Sequence, residues 1–279
     1  MNLIELTLLP GNFNNTLFEG GNAIKGVSRI SKEEVINSKS DLIKFIRNTL
    51  KITINKIKMI GSAGKKDTSG DIDIAVQCDS KCIEDHIQDL AGNNQYRIMN
   101  GIGVFSFAYS INDKLVQIDL MPVNNINFAE WSFQANQEDL EDGLKGAQRN
   151  ELFFAVAKYM PIKILKSDSN NTPIDTQRYF YDLSKGLMTG VRTRISLNGK
   201  IGKSLRTIDK KVISDDPEKI VKLMFGDYVT PKDLSSFDGT LQAIKSSKFK
   251  YKDRVDDILK LTIDGIKNKK LKIPKSIKE

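Results

Sequence analysis

Two aspartates one position apart carry the clearest chemical signal in this chain. Residues 60–76 read IGSAGKKDTSGDIDIAV, in which Asp71 and Asp73 stand within an apolar run. Because side chains of a strand alternate between faces, we expect both carboxylates on one face and the intervening isoleucine in a core. Adjacent carboxylates repel each other unless a cation lies between them, and oxygen ligands suit Mg²⁺. The pattern therefore predicts a metal site that handles phosphate groups.

A third aspartate can join this pair from another strand. Residues 114–123 alternate between apolar and polar side chains, with Gln117, Asp119 and Met121 on one face. A turn signal at 112–113 and an apolar segment before it predict a hairpin. Three carboxylates on neighbouring strands fit a site for two divalent ions, one activating an attacking hydroxyl and one holding a triphosphate.

A glycine-serine turn precedes the acidic strand. Gly61 follows a predicted strand at 53–60 and allows the backbone to approach a phosphate, while Ser62 offers a hydroxyl and amide donors. Lys65 in the same loop is a further candidate phosphate contact, with a solvated loop as the alternative. The loop lacks the upstream glycine and the Ser/Thr after the lysine that a Walker motif requires.

The glycine-serine turn, the Asp-x-Asp strand and the later strand aspartate together resemble the DNA polymerase beta-like nucleotidyltransferase superfamily, in particular template-independent RNA nucleotidyltransferases. The resemblance implies that Gly61 and Ser62 bind a nucleoside triphosphate, with ATP favoured. It implies that Asp71 and Asp73 bind two Mg²⁺ or Mn²⁺ ions. It also implies that Asp119 binds the catalytic ion and helps to deprotonate an acceptor hydroxyl.

The resemblance covers residues 30–123 and has one departure from the superfamily pattern. Ser-Asp normally stands directly before the acidic strand, whereas Gly70 separates Ser69 from Asp71 here. The role of Ser69 is therefore left open, while the aspartates are unaffected.

Positive charge is concentrated in the last third of the chain. Residues 191–279 contain 22 lysines and arginines against 12 acids, whereas the first 190 residues contain 21 against 23. A polyanionic substrate would need basic surface near an acidic metal site. Arg192, Arg194 and Lys203 are thus candidate contacts for nucleic acid, with a solvated lysine-rich surface as the alternative.

The predicted class is α+β. A small mixed palm-like sheet backed by helices is expected over residues 1–130, followed by a mainly helical, basic, substrate-binding domain over residues 131–279. Its predicted helices include 138–160, 175–188 and 251–266, and two more begin near 214–217 and 230–231.

A helical domain in similar enzymes supplies a cation to the triphosphate, which makes Arg149 and Lys185 candidates, with an ordinary surface position as the alternative. Phe128, Trp131 and Phe133 could stack on a nucleobase or, alternatively, form an interdomain core.

These features favour metal-dependent transfer of a nucleoside monophosphate from a nucleoside triphosphate to the 3′ end of RNA, with release of pyrophosphate. A small molecule or protein is the alternative acceptor, and a nucleic-acid-binding module with an inactive acidic site is a third hypothesis.

No apolar run approaches the roughly 20 residues of a membrane span, and the first ten residues lack the features of a secretory signal. We therefore expect a soluble, cytoplasmic protein.

Overall fold

The helices and strands form a mixed α+β structure, which confirms the predicted class. The computed structural model describes residues 23–99, 103–133, 135–167, 173–197 and 200–278, with the backbone alone at 173, 194–197 and 200–205. The helices are α1 (Lys32–Leu50), α2 (Ser80–Glu84), α3 (Ile87–Ala91), α4 (Ile126–Ser132), α5 (Gln137–Glu141), α6 (Gly146–Tyr159), α7 (Pro217–Met224), α8 (Phe237–Lys245) and α9 (Val255–Asn268). The strands are β1 (Ile30–Ser31), β2 (Ile57–Met59), β3 (Thr68–Ser69), β4 (Asp71–Val76), β5 (Tyr96–Met99), β6 (Val104–Ile111), β7 (Lys114–Pro122), β8 (Lys163–Ser167), β9 (Pro173–Asp182), β10 (Gly186–Leu197) and β11 (Lys200–Ser214).

The first sheet has the strand order β2-β4-β7-β6-β5 and carries the predicted acidic strands at its centre. β4 and β7 run parallel, and the other neighbouring pairs are antiparallel. The predicted alternation along β4 is present, since Ile72 and Ile74 are completely buried while Asp71 and Asp73 are half-buried. The parallel register sets Asp73 directly beside Asp119.

Helix α1 covers the apolar face of this sheet. The predicted capping box is present, because the Ser31 hydroxyl accepts a hydrogen bond from Glu34 N and the Glu34 carboxylate accepts one from Ser31 N. This pair satisfies backbone donors that the first turn would otherwise leave unpaired. The buried stripe of the helix consists of Val35, Leu42, Ile46 and Leu50.

The second sheet is an antiparallel meander in the order β11-β10-β9-β8. The predicted helix at 175–188 is wrong, because this segment forms most of β9, a turn and the start of β10. Asp182 turns the chain there by accepting hydrogen bonds from Ser184 N and Lys185 N. β-branched and aromatic residues at 174–181 favour strand pairing, and this preference outweighs the helical spacing of the apolar residues.

The remaining helices pack beside this second sheet, so the part after residue 131 combines the expected helices with an unexpected sheet. Asp216 caps α7 with Pro217 in its first turn, as predicted. The start expected near 230–231 is wrong, because the helix there begins at Phe237 after a cap at Ser236.

Helix α4 joins the two sheets. Its Ile126 and Ala129 pack with the first sheet, whereas Phe128 and Trp131 lie in the aromatic core beneath the second. Phe128 and Trp131 are 0% and 8% exposed, which favours the core interpretation of these rings over nucleobase stacking.

In the described ranges, no helix is both long and apolar enough to cross a membrane.

Candidate metal centre

Three carboxylates from two adjacent strands converge at the centre of the first sheet. Asp71 and Asp73 extend from β4 and Asp119 from β7, and one ligand oxygen from each lies within 4.8 Å of the others. Asp119 is 7% exposed. The sequence predicted this grouping, and the parallel β4–β7 register produces it. The cluster could hold a metal ion, and its all-oxygen donor set suits a hard divalent cation.

The cluster strongly disfavours negative charge in the absence of a cation. Burial raises the pKa of Asp73 well above its usual range, and the neighbouring Asp71 and Asp119 raise it further. Burial also raises the pKa of Asp119 to about 6, opposed by the Ser106 hydroxyl and the Gln117 amide and assisted by the charge of Asp71. A bound cation would relieve both the burial penalty and the mutual repulsion.

Gln117 holds Asp119 in place, a role that the sequence analysis missed. Its side-chain amide donates hydrogen bonds to both Asp119 oxygens at 2.9 and 3.1 Å. Its carbonyl oxygen accepts from Ala23 N and Ile24 N at 3.0 and 3.1 Å. The available signal was its position two residues before Asp119, which places both side chains on one face of β7.

The glycine-serine turn lies directly against the carboxylates. Gly61 has φ of +71°, and a Cβ added there would lie 2.5 Å from Asp73 Oδ2. Ile60 N donates a hydrogen bond to the Asp73 carbonyl at 2.9 Å, which fixes the approach of the turn to β4. Beyond it, Lys65 N donates to the Ser62 carbonyl at 3.1 Å. The predicted phosphate-binding turn and the acidic strand are therefore neighbours.

Lys65 links this turn to the segment after α4. Its ammonium group donates a hydrogen bond to the Ala135 carbonyl at 3.0 Å. Burial lowers its pKa, while the carboxylate of Glu130 acts in the opposite direction. This contact positions the loop, and a triphosphate would have to compete for the ammonium group.

Arg149 lies inside the protein core. Its side chain is 0% exposed, and its guanidinium group donates to the carbonyls of Trp131, Ser132 and Ser235 at 2.6, 2.9 and 3.1 Å. The guanidinium also lies 5.6 Å from the centroid of the Trp131 ring. These contacts tie α6 to the end of α4 and to the segment before α8. The structure does not bring Arg149 to a surface where a triphosphate could reach it.

We expect Arg149→Lys to destabilise the protein by about 2 kcal/mol, because an ammonium group cannot reach all three carbonyls and at least one would stay buried without a donor. Arg47→Lys on the exposed side of α1 is the matched control and should be neutral. Chemical denaturation of both variants measures the difference. A variant of unchanged stability that binds nucleotide more weakly would instead restore Arg149 as a phosphate contact.

The remaining basic candidates lie on or beside the second sheet. Lys185 is exposed in the β9–β10 turn, and the neighbouring Ser184 carbonyl accepts a hydrogen bond from Asn124 N at 3.4 Å. Lys185 is thus in a turn that contacts the segment following β7. Arg192 is half-buried on β10. Arg194 and Lys203 lie in β10 and β11, but their side chains are outside the described part of the structure.

The raised pKa values of Asp73 and Asp119 predict that the metal-free protein loses stability as pH increases. Between the ordinary aspartate pKa of 3.8 and the raised values, about 6 for Asp119, the folded protein retains protons that the unfolded chain has released. The free energy of unfolding should therefore decrease across this range. Excess Mn²⁺ should oppose the decrease, because protons compete with the cation for the same oxygens.

Denaturation in EDTA at pH 5 and pH 7.5 tests this expectation. The Asp73→Asn/Asp119→Asn double variant is the control, since it removes both titrations. Subtracting its pH dependence from that of the wild type isolates the contribution of the two carboxyls. Identical pH dependences would contradict the expected titration.

Comparison with protein-family models and with curated proteins gave no match for this chain, so its functional interpretation depends on the geometry of the carboxylate cluster and the turn beside it.

Proposed function

We propose that the protein is a metal-dependent nucleotidyltransferase that attaches a nucleoside monophosphate to an acceptor hydroxyl. The observation that carries this proposal is the joint placement of three carboxylates within 4.8 Å and a glycine turn in contact with one of them. The carboxylates would provide a cation site, and the turn would bring its backbone donors beside it. A triphosphate needs both features within the same few ångströms.

Two Mg²⁺ or Mn²⁺ ions, when bound, would supply charge neutralisation for the triphosphate and for the attacking oxygen. Asp71 and Asp73 would hold these ions from β4, and Asp119 would hold one of them from β7. Ser62 and the backbone after Gly61 would orient the β- and γ-phosphates. The chain itself contributes positioning and electrostatics.

The reaction forms one bond and breaks one bond. The acceptor oxygen would bond to the α-phosphorus, the bond from the α-phosphorus to the bridging oxygen would break, and pyrophosphate would leave. The hydroxyl proton needs an acceptor near neutral pH. The carboxylate of Asp119, beside the position proposed for the attacking oxygen, would help to receive it.

RNA is the acceptor that we favour, because the second sheet adds basic side chains to a protein whose formal net charge is +8. A small molecule or a protein is the alternative acceptor. A nucleic-acid-binding protein with an inactive cluster is a third possibility. Placing three carboxylates together costs electrostatic energy unless a cation is bound, which favours a working metal site.

The direct test is incubation with each labelled nucleoside triphosphate and Mg²⁺ or Mn²⁺, together with RNA, DNA or no added acceptor. Denaturing gels and pyrophosphate release report the products. Label transfer to RNA, absent in EDTA and in Asp73→Asn, is the expected result. Transfer to the protein itself or pyrophosphate release without a labelled polymer would support the alternative acceptors. Failure to bind Mn²⁺, measured by calorimetry, would exclude the proposed chemistry.

A further inference from the structure

One face of the second sheet brings together three cations and an aromatic ring. The strand register places Arg178 opposite Gly190, Phe180 opposite Met188 and Arg192 opposite Thr176, so all these residues lie on the same face. Lys210 reaches this face from β11, where its ammonium group lies 5.9 Å from the centroid of the Phe180 ring. We call Arg178, Phe180, Arg192 and Lys210 the arginine face.

The two arginines of this face repel each other. Arg178 and Arg192 are diagonal neighbours across β9 and β10, and burial together with the charge of Arg192 lowers the pKa of Arg178. Throughout the described residues, neither guanidinium group forms an ion pair. Arg178 Nε donates a hydrogen bond to the Thr176 hydroxyl at 3.3 Å. Two adjacent arginines on one face give it a positive potential that suits an anionic ligand.

Phe180 lies outside the hydrophobic core. Its ring contacts the backbone of Gly190, where an added Cβ would lie 3.2 Å from Phe180 Cε1. The ring is half-buried and belongs to none of the buried hydrophobic clusters described. An aromatic ring on a sheet surface among cations is the combination with which proteins bind single-stranded nucleic acids, since bases stack on the ring and phosphates contact the cations.

The opposite face of the same sheet offers a comparison. Lys163, Arg206 and Lys211 lie on it, according to their partners Gln177, Thr193 and Thr189. The aromatic residues on this opposite face pack in or against the core. Tyr181 is buried in the core, and Tyr179 packs against that core. This face therefore has cations but lacks a ring available for stacking.

The β9–β10 turn and the end of β11 lie beside the segment that follows β7, the strand of Asp119. Asn124 N donates to the Ser184 carbonyl in the β9–β10 turn, and the Asn125 amide donates to the Asp215 carbonyl just after β11 at 3.2 Å. Asn124 is five residues beyond Asp119, a separation of at most about 18 Å along the chain. Arg178 lies six residues before Ser184, which adds at most about 22 Å, so a strand bound on the arginine face would have to extend past this turn to reach the carboxylates.

We propose that the arginine face binds a single-stranded nucleic acid, with Phe180 stacking on a base and Arg178, Arg192 and Lys210 contacting phosphates. This binding site deepens the proposed function, on which it rests for the identity of the bound strand as the acceptor. Binding itself requires neither metal nor nucleotide, so it can be measured independently of transfer.

The test uses a labelled 20-nucleotide RNA, fluorescence anisotropy and EDTA, with salt varied from 50 to 300 mM. The Arg178→Ala/Arg192→Ala/Lys210→Ala variant removes the cations of the arginine face, and Lys163→Ala/Arg206→Ala/Lys211→Ala removes equal charge from the opposite face. Three lost phosphate contacts should reduce the log-log salt slope by about 2 and weaken binding on the order of 100-fold at 0.1 M salt. The opposite-face variant should lose far less.

Phe180→Leu tests stacking separately, with Phe180→Tyr as the variant that keeps the ring. We expect Phe180→Leu to weaken RNA binding about 10-fold with an unchanged salt slope, and Phe180→Tyr to bind like the wild type. Circular dichroism and melting temperature verify that each variant is folded.

Equal losses in the two triple variants would indicate a diffuse basic surface and overturn the proposal. The proposal would also be overturned if duplex RNA bound as tightly as single-stranded RNA and Phe180→Leu had no effect on binding. If the arginine-face variant loses RNA binding but keeps its Mn²⁺ affinity, the result supports the arginine face as the RNA-binding site. Retained RNA binding in the arginine-face variant, with metal-dependent transfer still present, overturns this inference and leaves the proposed function standing.

Discussion

Asp71→Asn and Asp73→Asn should each reduce metal-dependent nucleotidyl transfer by about three orders of magnitude or more. The amide keeps the size and shape of the side chain but cannot neutralise a divalent cation, whose contribution to the transition state is worth several kcal/mol. One oxygen of each carboxylate lies within 4.8 Å of an Asp119 oxygen, so a more distant acid could not take over as a ligand of the same ion. Initial rates at saturating Mn²⁺ measure the effect.

The same substitutions should leave the metal-free protein as stable as the wild type or more stable. Burial and the two neighbouring carboxylates already oppose ionisation of Asp73, so a neutral amide removes an unfavourable interaction. Melting temperatures in EDTA test this point. Asp113→Asn is the matched control, because Asp113 is exposed in the β6–β7 turn with φ of +60°, a conformation that asparagine tolerates. Normal transfer by either site variant would exclude the assigned metal ligands.

The parts of the site that the sequence predicted are those determined by local periodicity. Alternation along β4 predicted that Asp71 and Asp73 share a face, and alternation along β7 placed Asp119 opposite the apolar residues of its own strand. The α1 capping box was recognisable because Ser31 and Glu34 stand three residues apart. Such features depend on a few neighbouring residues, and the structure confirms them.

The sequence could not predict contacts that join distant segments. Gln117 orients Asp119 only because the residues at 23–24 supply donors to its carbonyl oxygen, 93 and 94 positions away along the chain. The β9–β10 hairpin was predicted as a helix because its apolar residues also fit helical spacing, and pairing with β8 and β11 decides between the two.

Arg149 shows how a basic residue can be misassigned from sequence. It precedes Leu152, Phe153 and Val156 by three, four and seven positions, which places it within the buried stripe of α6. This spacing was visible, but arginine is rarely fully buried, and exposure was the simpler expectation. The three backbone carbonyls that accept its hydrogen bonds lie 17, 18 and 86 positions away.

Gly61→Val should abolish most of the metal-dependent activity through a steric effect on Asp73. A Cβ at this position would lie 2.5 Å from Asp73 Oδ2, a separation that real structures do not tolerate, so the carboxylate or the turn must move. Misplacing a catalytic group by about 1 Å can cost about 100-fold in rate, and valine adds two further methyl groups. We therefore expect at least about a 100-fold loss of transfer, accompanied by weaker Mn²⁺ binding in calorimetry.

Backbone strain must be separated from this steric effect, because Gly61 has φ of +71°, which disfavours any side chain. Gly26 and Gly64 provide the controls. Gly26 has φ of +76° and no atom within 4 Å of an added Cβ, whereas Gly64 has φ of +74° and meets Val35 Cγ1 at 3.2 Å. Valine at these positions should lower the melting temperature, as we also expect at Gly61, with Mn²⁺ affinity retained. If the three variants lose the same stability and only Gly61→Val loses metal affinity, contact with Asp73 is the cause. Equal metal affinity in all three would mean that the turn does not position the carboxylate, and the triphosphate site would then have to lie elsewhere.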